Sequence, residues 1–136
     1  MLKSFKTEIH PTPEQKCKIN KTIGTCRYIY NFYLSQNKEL YEKGESFLSG
    51  KSFSIWLNQE YLPRHPEKGW IKEVSSKAVK KAMEDGCIAF TRFFNHQSGF
   101  PKFKKKEKSD VKMYFVKNNP MDCLCERHRI KIPTLG

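Results

Sequence analysis

Long hydrophobic runs are missing from this sequence. No stretch of 18 apolar residues occurs among its 136 residues, so no membrane-spanning helix is expected. The first ten residues, MLKSFKTEIH, lack the apolar core of a secretory signal. Cysteine is scarce and odd in number, with five residues, which predicts reduced thiols rather than a disulfide framework. We therefore expect a cytoplasmic protein without a membrane partner.

Acidic residues are also in short supply. The chain has 14 Asp and Glu residues against 26 Lys and Arg residues, for a net charge of +12. A protein this basic usually binds a polyanion, and nucleic acid is the commonest one. The excess is uneven, because residues 101–117 hold seven lysines and only two acidic residues. Since ten phenylalanines argue against a disordered chain, we expect a folded, nucleoid-associated protein.

Motifs that carry catalysis are absent as well. The sequence has no P-loop and no glycine-rich phosphate cradle, and its carboxylates show no spacing that would converge on a magnesium ion. Cys123, Cys125 and His128 offer only three zinc ligands, and strand alternation places His128 on the opposite face. The sequence therefore predicts no catalytic residues, no metal and no cofactor.

Strand patterns occur near both ends of the chain. Phe5, Thr7 and Ile9 alternate with polar residues within residues 1–11, which predicts a strand with one face on a core. Residues 111–117 and 124–133 alternate in the same way, and the turn residues between them predict a hairpin. Together these segments predict a small antiparallel sheet.

Helix patterns occupy the middle of the chain. Thr12 and Pro13 are typical of a helix start, and apolar residues then recur at steps of three and four until Gly44. A shorter helix is predicted over residues 53–62, and a third begins near Ser76. The order strand, helices, strand, strand predicts an α+β fold, in which the helices are inserted into the sheet.

Two helices carry candidate contacts for nucleic acid. Gly24, Arg27 and Asn31 share one helix face. One interpretation is close packing at the glycine beside a solvated polar edge. The other is a nucleic-acid contact, because arginine forks onto phosphate and asparagine bonds sugar or base. A second cluster lies where the helix dipole does not favour cations: Lys77, Lys80 and Lys81.

The stretch GFPKFKKKEK, residues 99–108, combines two aromatic rings, a proline and a lysine cluster. We expect Phe100 or Phe103 to pack on the core, so that the segment follows a fixed path along which a phosphate backbone could run. Residues 99–106 are called the connector below. Its candidate phosphate contacts are Lys102, Lys104, Lys105 and Lys106.

Several of these segments together resemble the N-terminal part of the TnpB (OrfB) proteins of insertion sequences. The first similarities are PTPEQ at residues 11–15 and the G-x-x-R-x-x-Y-N pattern of Gly24, Arg27, Tyr30 and Asn31. GFPKFK at residues 99–104 and IKIPTLG at residues 130–136 resemble two later motifs. The resemblance implies a family of RNA-guided DNA endonucleases related to type V CRISPR effectors.

The resemblance also implies a division of the chain. Residues 1–11 would be a strand of an oligonucleotide-binding-like wedge barrel, residues 12–98 a helical recognition insertion, and residues 99–136 a basic connector with a wedge hairpin. The sequence would hold half of that barrel, and the nuclease and zinc-ribbon domains would be absent. By position in the family, further residues near the target-adjacent motif would be Phe53, Ser76, Val116, Lys117 and Asn118.

The favoured function is therefore binding of DNA and guide RNA, without a catalytic centre in this chain. An alternative is a non-catalytic interaction module or regulator, which would pair as a homodimer or with a full-length partner through an open sheet edge. A third is a stand-alone enzyme, against which the scattered carboxylates argue.

Overall fold

Helices dominate the computed structural model, which describes residues 2–106, 124–125 and 129–132. The described residues include four α-helices, which are α1 (Pro13–Glu42), α2 (Gly50–Trp56), α3 (Leu62–Arg64) and α4 (Ser76–Phe94). A π-helical turn, Leu57–Tyr61, joins α2 to α3, and a 3-10 helix, Pro66–Glu73, leads on towards α4. The described strands are β1 (Leu124–Cys125) and β2 (Ile130–Lys131), which form an antiparallel pair. Within the described ranges, no helix is both long and apolar enough to cross a membrane.

The predicted α+β fold is wrong. Residues 2–12 form neither a helix nor a strand, and the side chains of Phe5 and Ile9, expected to face a core, are 87% and 46% exposed. A strand needs a neighbour to pair its backbone groups, and no described segment offers one there. β1 and β2 both lie inside residues 124–133, which were expected to form one strand, and Leu124 pairs with Lys131. The other predicted hairpin strand, residues 111–117, lies outside the described residues.

The start and the end of α1 confirm the predicted helix. Gln15 N donates to Thr12 Oγ1 at 3.2 Å, and Thr12 N donates to Gln15 Oε1 at 2.9 Å, which is a complete capping box. Pro13 takes the first helical position, where no backbone donor is needed. The chain leaves the helix through Gly44, whose φ of 70° is the left-handed conformation that glycine adopts readily.

The middle helical segment is longer than predicted at both ends. Ser49 is its N-cap, one turn earlier than expected, and Ser49 Oγ accepts from Ser52 N at 3.2 Å. Pro63 does not end the segment, although it has no N–H to donate. The chain instead widens into the π-helical turn, where the N–H of Leu62 donates to Leu57 O.

The core lies where α1 packs on α4 and α2 packs on α4. Its largest fully buried apolar side chains are Ile29, Tyr33, Leu34, Phe53, Leu57, Met83 and Phe90. The ring of Tyr33 lies 5.3 Å from that of Phe53 and 6.3 Å from that of Phe90. Its hydroxyl donates to Leu48 O at 2.7 Å. One side chain of α1 thus joins α2, α4 and the loop before α2.

Gly86 in α4 makes the closest approach to this core. A Cβ at position 86 would lie 2.5 Å from Cδ1 of Tyr33, whose ring is fixed by its hydroxyl. The overpacking cost of about 1–3 kcal/mol should outweigh the roughly 1 kcal/mol of helix propensity gained. We expect Gly86→Ala to lower the free energy of unfolding by up to about 2 kcal/mol, measured by urea denaturation.

Gly24 in α1 provides the matched control. The nearest atom to a Cβ there is Arg27 Nη2 at 3.9 Å, so the close packing considered for Gly24 is not present. Gly24→Ala should raise the free energy of unfolding by up to about 1 kcal/mol, through helix propensity alone. Shifts of the same sign in both variants would contradict this assignment of the close contact to Gly86.

Candidate nucleic-acid interface

A cleft of about 560 Å³ lies beside the middle of α1. Arg27 and Asn31, one helical turn apart, line it from α1, and Trp70 and Glu73 of the 3-10 helix line it from the other side. The remaining lining residues are Lys21, Gly24, Thr25, Tyr28 and Val74. The structure therefore places the two sequence-predicted residues of α1 in one concave site.

The walls of the cleft combine aromatic rings with cations. The rings of Tyr28 and Trp70 meet edge to face, with centroids 5.0 Å apart. Lys68 Nζ lies 5.3 Å from the Tyr28 centroid and 6.0 Å from the Trp70 centroid, within cation–π range. Lys21 and Glu73 form an exposed ion pair at 3.6 Å, which contributes little to stability. Aromatic rings beside cations are the groups that bind unpaired bases and phosphates.

Asn31 also attaches the connector to α1. Its Nδ2 donates to Lys104 O at 2.8 Å, and its Oδ1 accepts from Lys104 N at 2.8 Å. The side-chain amide thus pairs with both backbone groups of one residue, as a neighbouring strand would. These two bonds occupy much of the hydrogen-bonding capacity of the amide, so Asn31 is already engaged within the protein.

The ammonium of Lys104 faces α1. Its Nζ lies 4.3 Å from the ring centroid of Tyr30, a cation–π distance, and the residue is half-buried. Burial raises the pKa of the Cys26 thiol to about 11, the charge of Asp85 adds to the rise, and the charge of Lys104 opposes it. Lys104 is therefore close enough to this face of α1 to act on a buried thiol.

Phe100 fixes the start of the connector. Its ring is half-buried against the core and lies 5.5 Å from Phe90 and 5.0 Å from Phe93, whereas Phe103 is 48% exposed. The expectation that at least one of the two rings packs inward is confirmed. The exposed lysines of the connector are Lys102, Lys105 and Lys106.

Two of the candidates on α4 lie at a second, smaller cavity of about 260 Å³. Ser76 and Lys80 line it and are exposed, whereas Lys77 is half-buried. Val74 lines both cavities, so the two adjoin. Lys81 stands apart, because its Nζ lies 3.4 Å from Asp85 Oδ1 and 4.0 Å from Glu84 Oε2. Acidic groups of its own helix thus compensate its charge.

Phe53 is not at the surface. Its side chain is 0% exposed, and its ring lies 5.5 Å from that of Phe32 as well as against Tyr33. The apolar side of α2 turns this ring into the core, and its place beside a nucleic acid stays a prediction. Three other family-position candidates lie outside the described residues: Val116, Lys117 and Asn118. Among the described residues, no three His, Cys, Asp or Glu side chains group as metal ligands.

The aromatic wall of the cleft was missed at the sequence level. Lys21, Gly24, Tyr28 and Asn31 recur at steps of three and four, so the helix period alone could have added Tyr28 to the predicted face. Trp70 carries no such signal, because it reaches the cleft only through the packing of the 3-10 helix on α1. The reciprocal bonds from Asn31 to Lys104 likewise join distant segments.

Comparison with known protein families gives one match, over residues 1–46, to a helix-turn-helix domain family, HTH_OrfB_IS605. Over the described part of that range, the structure has the single helix α1, preceded by residues without regular structure. The matched segment therefore contributes one continuous helix, and with it the Arg27 and Asn31 side of the cleft.

Three relatives are similar over most of this chain. A protein of Escherichia coli (strain K12), named as the RNA-guided DNA endonuclease InsQ, is 28% identical over 99% of this chain. A protein of Streptomyces pristinaespiralis, named as an RNA-guided DNA endonuclease, is 26% identical over 85% of it. The chain spans 32% and 28% of the lengths of these two relatives. The virulence protein VsdF of Salmonella dublin is 33% identical over 78% of this chain, which covers 95% of that relative.

Proposed function

Because the chain belongs to the TnpB (OrfB) family of insertion-sequence proteins and corresponds to its N-terminal part, we propose that it binds DNA along the connector and the adjoining cleft. The observation that carries this proposal is the fixed connector, which presents Lys102, Lys105 and Lys106 at the surface and is bonded to Asn31 of the cleft. Cations on a fixed path match the regular charges of a phosphate backbone.

The finer assignment divides the surface between two tasks. The exposed connector lysines and Arg27 contact phosphates of DNA or of a guide RNA duplex, and so act on all sequences alike. The second cavity, lined by Ser76 and Lys80, lies at the target-adjacent motif together with Lys77 of the same helix. The chain supplies binding and no catalytic carboxylates. This division is supported by the resemblance in motif order and by the adjoining positions of the two cavities.

The interaction-module alternative has no supporting observation among the described residues. It required an open edge on a three-stranded sheet, whereas β1 and β2, with two residues each, are the strands found in the described part of the chain. A tight dimer in sedimentation that binds neither DNA nor RNA would nevertheless favour that alternative over the proposal.

Salt dependence of binding tests the proposal. Fluorescence anisotropy would follow the 136-residue chain with labelled duplex DNA, single-stranded DNA and an RNA hairpin over a NaCl series. If about six cations neutralise phosphates, the logarithm of the association constant should fall against the logarithm of the salt concentration with a slope of about −5. A flat salt response on all three probes would overturn the proposal.

A further inference from the structure

Lys104 differs from its neighbours in the lysine cluster. Both of its backbone groups are bonded to Asn31 at 2.8 Å, and its ammonium lies over the ring of Tyr30 at 4.3 Å. Lys102, Lys105 and Lys106 are exposed. The contacts with α1 thus use the backbone and the charge of one lysine, and they leave the side chains on either side of it at the surface.

The same reciprocal arrangement occurs once more on α1. Asn37 Oδ1 accepts from Leu48 N at 2.8 Å, and Asn37 Nδ2 donates to Leu48 O at 3.1 Å. Asn37 is 2% exposed and attaches the loop before α2, in which the charges of Lys43 and Glu45 offset each other. Two asparagines of one helix therefore each hold the backbone of a distant segment. The segment that Asn31 holds is the basic one, and it lies beside the cleft.

We propose that Asn31 is a positioning residue for nucleic-acid binding, and that Lys104 is the anchor it holds rather than a phosphate contact. The Asn31 amide sets where the connector runs along α1, and the cation–π contact of Lys104 with Tyr30 keeps the anchor in place. Lys102, Lys105 and Lys106 are thereby aligned with the Arg27 side of the cleft. The inference rests on the proposed function, because positioning requires a bound nucleic acid.

Direct contact and positioning predict opposite results for two variants. If Asn31 and Lys104 touched the nucleic acid directly, the neutral Asn31→Leu would leave the salt slope unchanged, and Lys104→Met would lower its magnitude by about 0.9. Under positioning, Lys104→Met changes the slope by less than about 0.3, because methionine still packs on Tyr30. Asn31→Leu removes no charge, yet lowers the slope magnitude by about 2 and weakens binding roughly 40-fold near 0.15 M salt.

Asn37→Leu is the matched control. It breaks the same kind of amide contact in a loop without net charge, so it should lower the melting temperature and leave the salt slope within about 0.3 of the parent value. Binding is compared at a temperature at which circular dichroism shows each variant folded. If Asn31→Leu does not fold, Asn31→Ser, whose side chain is too short to reach both backbone groups, takes its place with the same expectation.

Hydrogen exchange distinguishes a failure of the positioning role of Asn31 from a failure of the proposed function. The Lys104 amide should exchange at least about tenfold faster in Asn31→Leu than in the parent, because its acceptor is lost. Accelerated exchange with an unchanged salt slope would overturn the positioning role while leaving the proposed function intact. Absence of nucleic-acid binding by the parent would instead overturn the proposed function, and the positioning role with it.

Discussion

Phe53→Ala is expected to lower the free energy of unfolding by about 3–5 kcal/mol, a typical cost of truncating a fully buried aromatic side chain. The ring is 0% exposed and contacts the rings of Phe32, Tyr33 and Trp56 at centroid distances of 5.3–5.7 Å. Its removal leaves a cavity where α2 meets the core. Urea denaturation with circular dichroism should show a much lower midpoint, or a protein that does not fold at 25 °C.

Phe103→Ala makes the same chemical change at an exposed site. Phe103 is 48% exposed on the connector, so its truncation should change the free energy of unfolding by no more than about 0.5 kcal/mol. Comparing these two variants also tests whether Phe53 contacts the nucleic acid, since its position in the family had suggested a place beside it. A Phe53→Ala protein of parental stability with weakened binding would show that this ring reaches the ligand.

The helices could be predicted because their signals are local. A capping box at Thr12, a glycine at position 44 and the apolar spacing of α4 each lie within a few residues of the feature they determine. The predicted strand at Phe5 failed because alternation becomes a strand only when a partner pairs with its backbone. The end of the middle segment was mistaken because Pro63 is accommodated by a π-helical turn.

The candidate site was predicted in position but not in the roles of its residues. The helix period correctly grouped Arg27 with Asn31 on one face, and both line the cleft. Which partner Asn31 binds depends on a residue 73 positions further along the chain, and no local pattern encodes that pairing. For the same reason, the charge run alone could not distinguish Lys104, which faces Tyr30, from the exposed lysines around it.

Simultaneous replacement of Lys102, Lys105 and Lys106 by glutamine is expected to cause the largest loss of binding. Each phosphate contact contributes about 0.9 to the salt slope, so three contacts contribute about 2.7. Near 0.15 M salt this corresponds to a factor of about five per contact, and hence to binding weakened on the order of 100-fold. The loss should be the same for unrelated DNA sequences, because phosphates carry no sequence information. Anisotropy titrations on two duplexes of different sequence measure both quantities.

Net charge alone must be separated from charge on the connector. Replacing Lys16, Lys43 and Lys51 by glutamine removes the same three charges from exposed positions. From the rise per residue of an α-helix, Lys16 lies about 22 Å and Lys43 about 18 Å along α1 from Asn31. These distances exceed the screening length of about 8 Å at physiological salt, so the control protein should bind within about threefold of the parent. Equal losses in the two triple variants would mean that the total charge attracts the nucleic acid and that the path of the connector does not matter.

A loss confined to the connector variant and to one duplex sequence would instead mean that Lys102, Lys105 and Lys106 contact bases, because only contacts at the base edges can distinguish one sequence from another.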